Sequence, residues 1–441
     1  MAKATYKFPP GFLWGTATSS HQVEGGNQKN DWYRWEQAGK IMQDDVSGNA
    51  CGWWEGKWED DLDLAAEADQ NAHRFSIEWS RVQPEPDHWN KDALLQYQEM
   101  ARGMVERGLT PVVTLHHFSN PDWIMDQGGW ESEEIIPRFG KYVEKVVSVL
   151  EDYVTLWCTI NEPNVYATLG YLMGLFPPGK KDLQSTFRVM KNLFQAHAAA
   201  YHIIHRQQYQ ARVGLAINYR DMIPARSWFP LDRMMAGFTS RLYNDFFPEA
   251  AHTGKLNFPL RTITISGGKD TQDFLGVNYY TQERVTFALH STDQPLARRS
   301  LPPKAELSET GFIAHRPRGL YRALEWGTQF DVPLIVTENG VDDSTDSLRP
   351  RYLVEHIHQI WRGINHNWPI KGYFHWTLVD NFEWERGWTQ RFGLWDLNRE
   401  TQERHKRPSA DLYAEICRAN ALDQEMVKQY APESLDNLFP E

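Results

Sequence analysis

Two glutamates close apolar runs of the chain: Glu162, in Asn161-Glu162-Pro163 after VTLWCTI, and Glu338, in Glu338-Asn339-Gly340 at the end of PLIVTE. A single carboxylate at a strand end is ordinarily a solvated loop residue or a helix cap. Two that meet around one bond have a chemistry of their own. One carboxyl donates a proton to a leaving oxygen, while the other stabilises positive charge at an acetal carbon, either directly as a nucleophile or through a water. Further polar residues sit in or at the ends of neighbouring runs: Arg74, His117 and Tyr280, with Trp376 in the last run. The chain also carries 19 Trp, 18 Tyr and 21 Phe. Most of these rings belong in a core. Trp376, Trp384, Trp388 and Trp395, however, lie among charges and glycines. Flat rings beside polar walls suit a pyranose, which has an apolar C–H face and a belt of hydroxyls.

The elements that must position these residues recur in a regular order. Eight short apolar runs read as strands, at 12–18, 72–77, 111–117, 154–161, 212–218, 273–280, 333–338 and 370–378. Between most of them the period changes to that of a helix, as at 92–107, where Leu94, Tyr97, Ala101, Met104 and Val105 recur on one face before Gly108. Residues 133–151, 182–208 and 350–366 show the same pattern. Strands joined through helices pair in parallel, and eight such units without a composition break predict one domain over 1–441, a single closed (β/α)8 barrel of the TIM type. Strands four and seven of such a barrel face each other across its axis, which would aim Glu162 and Glu338 at a common centre. Residues 19–58 and 281–316 are too long for simple connections, and they are expected to be inserted βα loops walling a pocket.

Charge and composition exclude other classes. The 441 residues include 46 Lys plus Arg against 58 Asp plus Glu, a net charge of -12 that repels nucleic acid and anionic membranes. The start lacks an apolar signal region, and no uncharged run approaches the ~20 residues that cross a bilayer, so a soluble, cytoplasmic protein is expected. Cys51, Cys158 and Cys417 form no C-x-x-C spacing, and Cys158 is expected to be a small buried thiol. His116 and His117, adjacent on a strand, face opposite sides and cannot readily share an ion, so neither a metal nor a cofactor is expected. Glu59-Asp60-Asp61 and Glu131 to Glu134 read as helix starts. Asp380-Asn381 reads as a loop brace.

Taken together, FLWGTATSSHQVEG at 12–25, HRFSIEWSR at 73–81, TLHHF at 114–118, TINEP at 159–163, NYY at 278–280, TENG at 337–340 and HWTLVDNFEWERGW at 375–388 carry a resemblance. The sequence resembles family 1 glycoside hydrolases, the β-glucosidase family, over nearly its whole length. The resemblance implies a retaining, exo-acting β-glycosidase without a cofactor, acting on small β-glycosides and oligosaccharides. A β-glucosidase is expected first, with β-galactosidase or β-fucosidase activity beside it or in its place. Glu162 becomes the acid/base and Glu338 the nucleophile. Asn161 would bond the sugar 2-hydroxyl, Arg74 and Tyr280 would hold the nucleophile, and Asn278 of the NYY motif would support the pair. Gln22, His117, Trp376, Glu383, Trp384 and Phe392 would bind the sugar.

That assignment carries electrostatic expectations. Arg74 and Tyr280 should lower the pKa of Glu338, whereas burial and the Glu338 charge should raise that of Glu162. Glu383, together with Gln390 in place of a basic residue, argues against 6-phosphorylated substrates. Asn164 stands where many relatives have Trp, Phe118 replaces another common Trp, and Glu78 and Trp388 also depart from the usual residues, which leaves the leaving-group side open. A non-catalytic sugar receptor would use the same barrel but could lose a glutamate. An inverting hydrolase would need carboxyls ~6.5–9.5 Å apart rather than ~5–5.5 Å.

Overall fold

The computed structural model describes residues 4–289 and 296–440. Eight parallel strands form the barrel: β1 (Leu13–Ala17), β2 (Ala72–Ser76), β3 (Thr110–His116), β4 (Leu156–Asn161), β5 (Arg212–Pro224), β6 (Phe274–Phe287), β7 (Leu334–Asn339) and β8 (Ile370–His375). Each pairs with the next in sequence, and β8 pairs with β1, which closes the sheet. The principal helices that follow them are α1 (Trp58–Glu67), α2 (Lys91–Glu106), α3 (Ile135–Leu150), α4 (Leu183–Gln207), α5 (Phe246–Thr253), α6 (Pro317–Gly327), α7 (Arg349–Asn365) and α8 (Pro408–Ala419). This is a (β/α)8 TIM barrel with long βα insertions.

Alternation along the strands builds two cores. Outward residues such as Val113, Trp157, Leu275 and Val336 pack under the helices, while Ala17, Ala72, Val112, Phe274, Ile335 and Phe374 fill the barrel. On α2, Leu94, Tyr97, Ala101 and Met104 are buried, as their spacing predicts, but Val105 is 47% exposed. It lies at the last turn, past the edge of the buried stripe. Asn90 caps that helix through its side chain, accepting from the Asp92 and Ala93 amides.

The expected loop at 281–316 is corrected in part. Strand β6 runs on to Phe287, pairs with the extended end of β5, and receives Ala297–Ser300 as an antiparallel neighbour. The polar residues there belong to a ribbon rising above the barrel rather than to a simple loop, and residues 290–295 of that segment lie outside the described ones. Segment 19–58 folds into short helices, Ser20–Val23 and Asp31–Gln37 among them. Glu59, Asp60 and Asp61 do open α1. Asp61 is also buried and accepts from Trp53 and Arg404. Glu134 immediately precedes α3, while Glu131 ends a short 3-10 turn and accepts from Ser185.

Candidate active site

The carboxyl ends of the strands open into a pocket whose empty space, mouth included, is about 690 Å3. Both glutamates line it, and both follow breaks in regular pairing. Between Cys158 and Asn161 on β4, and between Val336 and Glu338 on β7, the register slips. Such irregularities re-aim side chains that strict alternation would send elsewhere. Glu162 itself adopts a left-handed backbone, φ 44°, before Pro163. Phe118 and Trp384, also in the wall, have φ 68° and 50°. Non-glycine residues adopt such angles at a cost, which a closely packed site can hold in place. Gly340 lets β7 leave the barrel beside β8, because a Cβ there would lie 2.0 Å from the Trp376 carbonyl oxygen.

Glu338 is held by charge. Arg74 Nη1 donates to its Oε1 at 2.6 Å, and Tyr280 Oη donates to its Oε2 at 2.7 Å. Arg74 is fully buried and fixed in turn, Nε donating to Thr114 Oγ1 at 3.1 Å and Nη2 to Asn161 Oδ1 at 2.6 Å. The Asn161 amide then donates to His117 Nε2 at 3.1 Å, so His117 carries its proton on Nδ1 and is neutral. Burial, with the nearby Arg74, holds the His117 pKa well below the ordinary value.

Glu162 is in direct contact with neutral amides: Asn218 Nδ2 and Asn278 Nδ2 donate to its Oε1 at 2.8 and 2.9 Å. Asn278 is oriented by Thr337 Oγ1, which donates to its carbonyl oxygen at 2.6 Å. Burial pushes the Glu162 carboxyl up to about 7, and the neighbouring Glu338 charge acts in the same sense. Glu338 is also raised, because burial outweighs Arg74, Tyr280 and Asn278. The expectation that its partners would lower this pKa is therefore corrected. They offset desolvation without overcoming it. The asymmetry between the pair remains: a guanidinium touches only Glu338, so the first proton that the two release leaves Glu338 ionised.

Of the expected sugar-binding residues, His117, Asn161, Trp376, Glu383, Trp384 and Phe392 line the pocket. Trp384 stacks near His117, centroids 5.8 Å apart. Gln22 does not line it. It is fully buried behind Glu383, donating to Glu383 Oε2 at 3.1 Å and to the Phe382 carbonyl at 2.7 Å, so it positions that carboxylate. Burial raises the Glu383 pKa well above the ordinary value, with Glu385 and Glu338 adding to the shift. Arg74 and Asn278 likewise stand behind the wall, and Tyr280 forms part of it.

Among the departures from the family pattern, Phe118 faces the pocket, whereas Glu78, Asn164 and Trp388 do not. Glu78 accepts from Ser20, Ser80 and Ser119. Asp380 is a brace, paired with Arg407 at 2.8 Å and accepting from the Gly393 amide. His116 turns away from the pocket toward Trp130, and its Nε2 donates to Asn120 Oδ1 at 3.0 Å. Cys158 is fully buried. Among the described residues, no group of three or more His, Cys, Asp or Glu could hold a metal ion.

Sequence reasoning missed Asn218, Arg220, Leu169, Phe176, Phe312, Glu385 and Arg386, all in the wall. Asn218 closes the fifth apolar run, so the strand-end argument applied to Glu162 would have found it. Arg220 Nε donates to Asn218 Oδ1 at 2.9 Å, which orients the amide toward Glu162.

This pocket joins a clamped carboxylate to an unclamped one inside a barrel, and residues 4–422 match the model of Glycosyl hydrolase family 1. The chain belongs to that family. As a family 1 protein it is a glycoside hydrolase of the β-glycosidase type. Beta-glucosidase A of Thermotoga maritima is 31% identical over 460 residues, covering 95% of this chain and 99% of its own. A Saccharolobus solfataricus protein named beta-galactosidase is 30% identical, covering 96% and 97%. The solved beta-glycosidase from Pyrococcus horikoshii superposes with a TM-score of 0.91 at 38% identity, over 97% of this chain and 98% of its own. No described helix is long and apolar enough to cross a membrane.

Proposed function

We propose that the protein is a retaining, exo-acting β-glycosidase, a β-glucosidase before all else, working as one barrel unit in the cytoplasm on small β-glycosides such as short cello-oligosaccharides. The observation that carries this reading is the unequal support of the two carboxyls: Glu338 is held by a guanidinium and a phenol, and Glu162 by amides alone with a pKa of about 7. In the first step Glu338 attacks the anomeric carbon while Glu162 gives its proton to the departing oxygen. Glycosylation removes the Glu338 charge, so Glu162 becomes more acidic and can take a proton from the incoming water. Asn161, fixed between Arg74 and His117, is placed to bond the 2-hydroxyl, a contact that strengthens as the ring flattens. Trp376, Trp384, Phe392 and Glu383 close the pocket around a terminal sugar, and Glu383, whose raised pKa favours the neutral carboxyl, exchanges hydrogen bonds with its hydroxyls.

A second reading, β-galactosidase as the main activity, is favoured by the name of the Saccharolobus solfataricus relative. Anomeric proton NMR of early products, run over nitrophenyl β-glucoside, β-galactoside, β-fucoside and cellobiose, tests both readings. First-formed β-glucose with the glucoside fastest supports the proposal. First-formed α-sugar overturns retention, and a galactoside preference transfers the main activity.

A further inference from the structure

The two oxygens of the Glu162 carboxyl stand in different surroundings. Asn218 Nδ2 and Asn278 Nδ2 both donate to Oε1, at 2.8 and 2.9 Å. Oε2 meets no hydrogen-bond partner among the described residues, and it is not sealed from the pocket that Glu162 lines. Two N–H donors occupy both lone pairs of Oε1. A proton on that oxygen would displace one of them, so the neutral carboxyl carries its proton on Oε2, the oxygen that can reach a leaving group.

That arrangement holds only while both amides present their NH2 groups. An amide can turn over, and its carbonyl oxygen would then accept a proton from Oε1. At Asn278 the turn is blocked, because Nδ2 also donates to Asn161 Oδ1 at 3.2 Å, an oxygen that Arg74 holds in place. At Asn218 the lock is Arg220, whose Nε donates to Oδ1 at 2.9 Å. A guanidinium has no acceptor, so it can meet only the carbonyl side of that amide. The ribbon above the barrel keeps the guanidinium in place. Glu283 Oε1 accepts from Arg220 Nη1 at 3.3 Å, its Oε2 accepts from Arg299 Nη1 at 3.3 Å, and the Tyr243 hydroxyl also bonds Arg220. Asn164 ties the same strand end to Tyr243, its Nδ2 donating to the Asn218 carbonyl at 2.9 Å and the Tyr243 carbonyl at 3.2 Å. Glu338, Arg74, Tyr280 and Tyr243 also act on Glu162 by charge. Among the described residues, however, Arg220 alone bonds the Asn218 side-chain oxygen.

We propose that Arg220 is a positioning residue: by locking the Asn218 amide it fixes the acid proton of Glu162 on Oε2. The inference rests on the reading of Glu162 as the acid/base. In glycosylation the Oε2–H bond breaks and the proton passes to the leaving oxygen, which keeps the electron pair of the cleaved C–O bond. In the second step Oε2 takes a proton from the water whose oxygen bonds the anomeric carbon. Oε1 keeps both amide donors throughout. Without the Arg220 Nε donor, Asn218 can offer Oδ1 to Glu162, and the proton then sits on Oε1, the wrong oxygen for the transfer.

Neutron diffraction from crystals of the full chain at a pD of about 5, below the Glu162 pKa of about 7, reads the proton directly and needs no variant. A deuteron on Oε2 is expected, and one on Oε1 would overturn the proposal. Kinetics test the lock. Arg220→Met removes the donor and leaves Glu283 paired with Arg299, whereas Arg220→Gln keeps an amide N–H at the position of Nε without the charge. The ratio of kcat/KM for methyl β-glucoside to that for dinitrophenyl β-glucoside cancels general damage, because the poor leaving group depends far more on the proton. R220M should lower that ratio about tenfold, the worth of one buried hydrogen bond, and R220Q should restore it to within about threefold of the parent. In an N218A background R220M should lower it no further. Equal losses on both substrates, R220Q as poor as R220M, or an undiminished fall in the N218A background would each overturn the proposal. A parent inert toward every glycoside would instead sink the glycosidase reading, which the deuteron position does not address.

Discussion

Replacing Glu338 by Gln removes a charge from beside Glu162 at almost constant volume, and the consequence can be worked from the site. Glu162 stands at about 7 against an ordinary value of 4.5, with burial the larger cause and the Glu338 charge the second. Two unit charges ~5.5 Å apart, the separation of a retaining pair, interact by about 3 kcal/mol at an effective dielectric of ~20. At about 1.4 kcal/mol per pKa unit that sets an upper bound near 2 units. Burial persists in the variant, so Glu162 should not return to the ordinary value. The freed Arg74 guanidinium acts in the same direction as the lost carboxylate. A fall of about 1 to 2 units is expected, which places Glu162 near 5 to 6 in E338Q. Titration of 13C-labelled glutamate carboxyls by NMR in the parent and the variant reads this directly. A Glu162 pKa that stays near 7 or rises in E338Q would refute the reasoning, because the two carboxyls would then not sense each other.

Removal of the Asn218 amide takes away one of the two donors to Glu162, so N218A should raise that pKa by about 1 unit and carry the basic limb of kcat/KM upward by the same amount. An unmoved or acid-shifted limb would count against the contact. Glu162→Ala should slow glycosides with poor leaving groups by about 100-fold or more, while activated nitrophenyl glycosides lose far less in glycosylation. Equal losses on both would remove Glu162 from the acid role. Stability should peak near neutrality. Burial depresses His73 to about 3, His116 to about 4, and His197 and His375 to about 3, so their contribution is present above the unfolded value of 6.5 and is lost as pH falls below it. Glu24, Asp31 and Glu162, each raised to about 7, act oppositely: their contribution is present at low pH and is lost as pH rises through 7. A scan of Tm against pH should therefore have its maximum between about 6 and 7, and a Tm still climbing at pH 9 would contradict this balance.

Much of the barrel is legible in the order of residues alone, because a strand buried on both faces reads as a compact apolar run and a surface helix as a 3.6-residue period. What escaped depends on neighbours distant in sequence. The ends of β5 and β6 continue as a ribbon, and polar residues there look like loop until their pairing is known. Glu162 and Glu338 stand out by their place at strand ends, yet the register slips that turn them inward have no local signature. Partners alone suggest a lowered Glu338 pKa, whereas the sign is decided by how completely the fold desolvates that carboxyl. Gln22 illustrates the same boundary. Its motif places it near the sugar, but its contacts with Phe382 and Glu383, some 360 positions away, put it behind the wall.

The division of labour between the two carboxyls is tested most directly by Glu338→Gly assayed with and without sodium azide on an activated nitrophenyl β-glucoside. The account predicts negligible hydrolysis alone and restored turnover with azide, which enters the space left by the side chain and yields the α-glucosyl azide. Hydrolysis at the parent rate without azide, or a β-configured azide product, would contradict it.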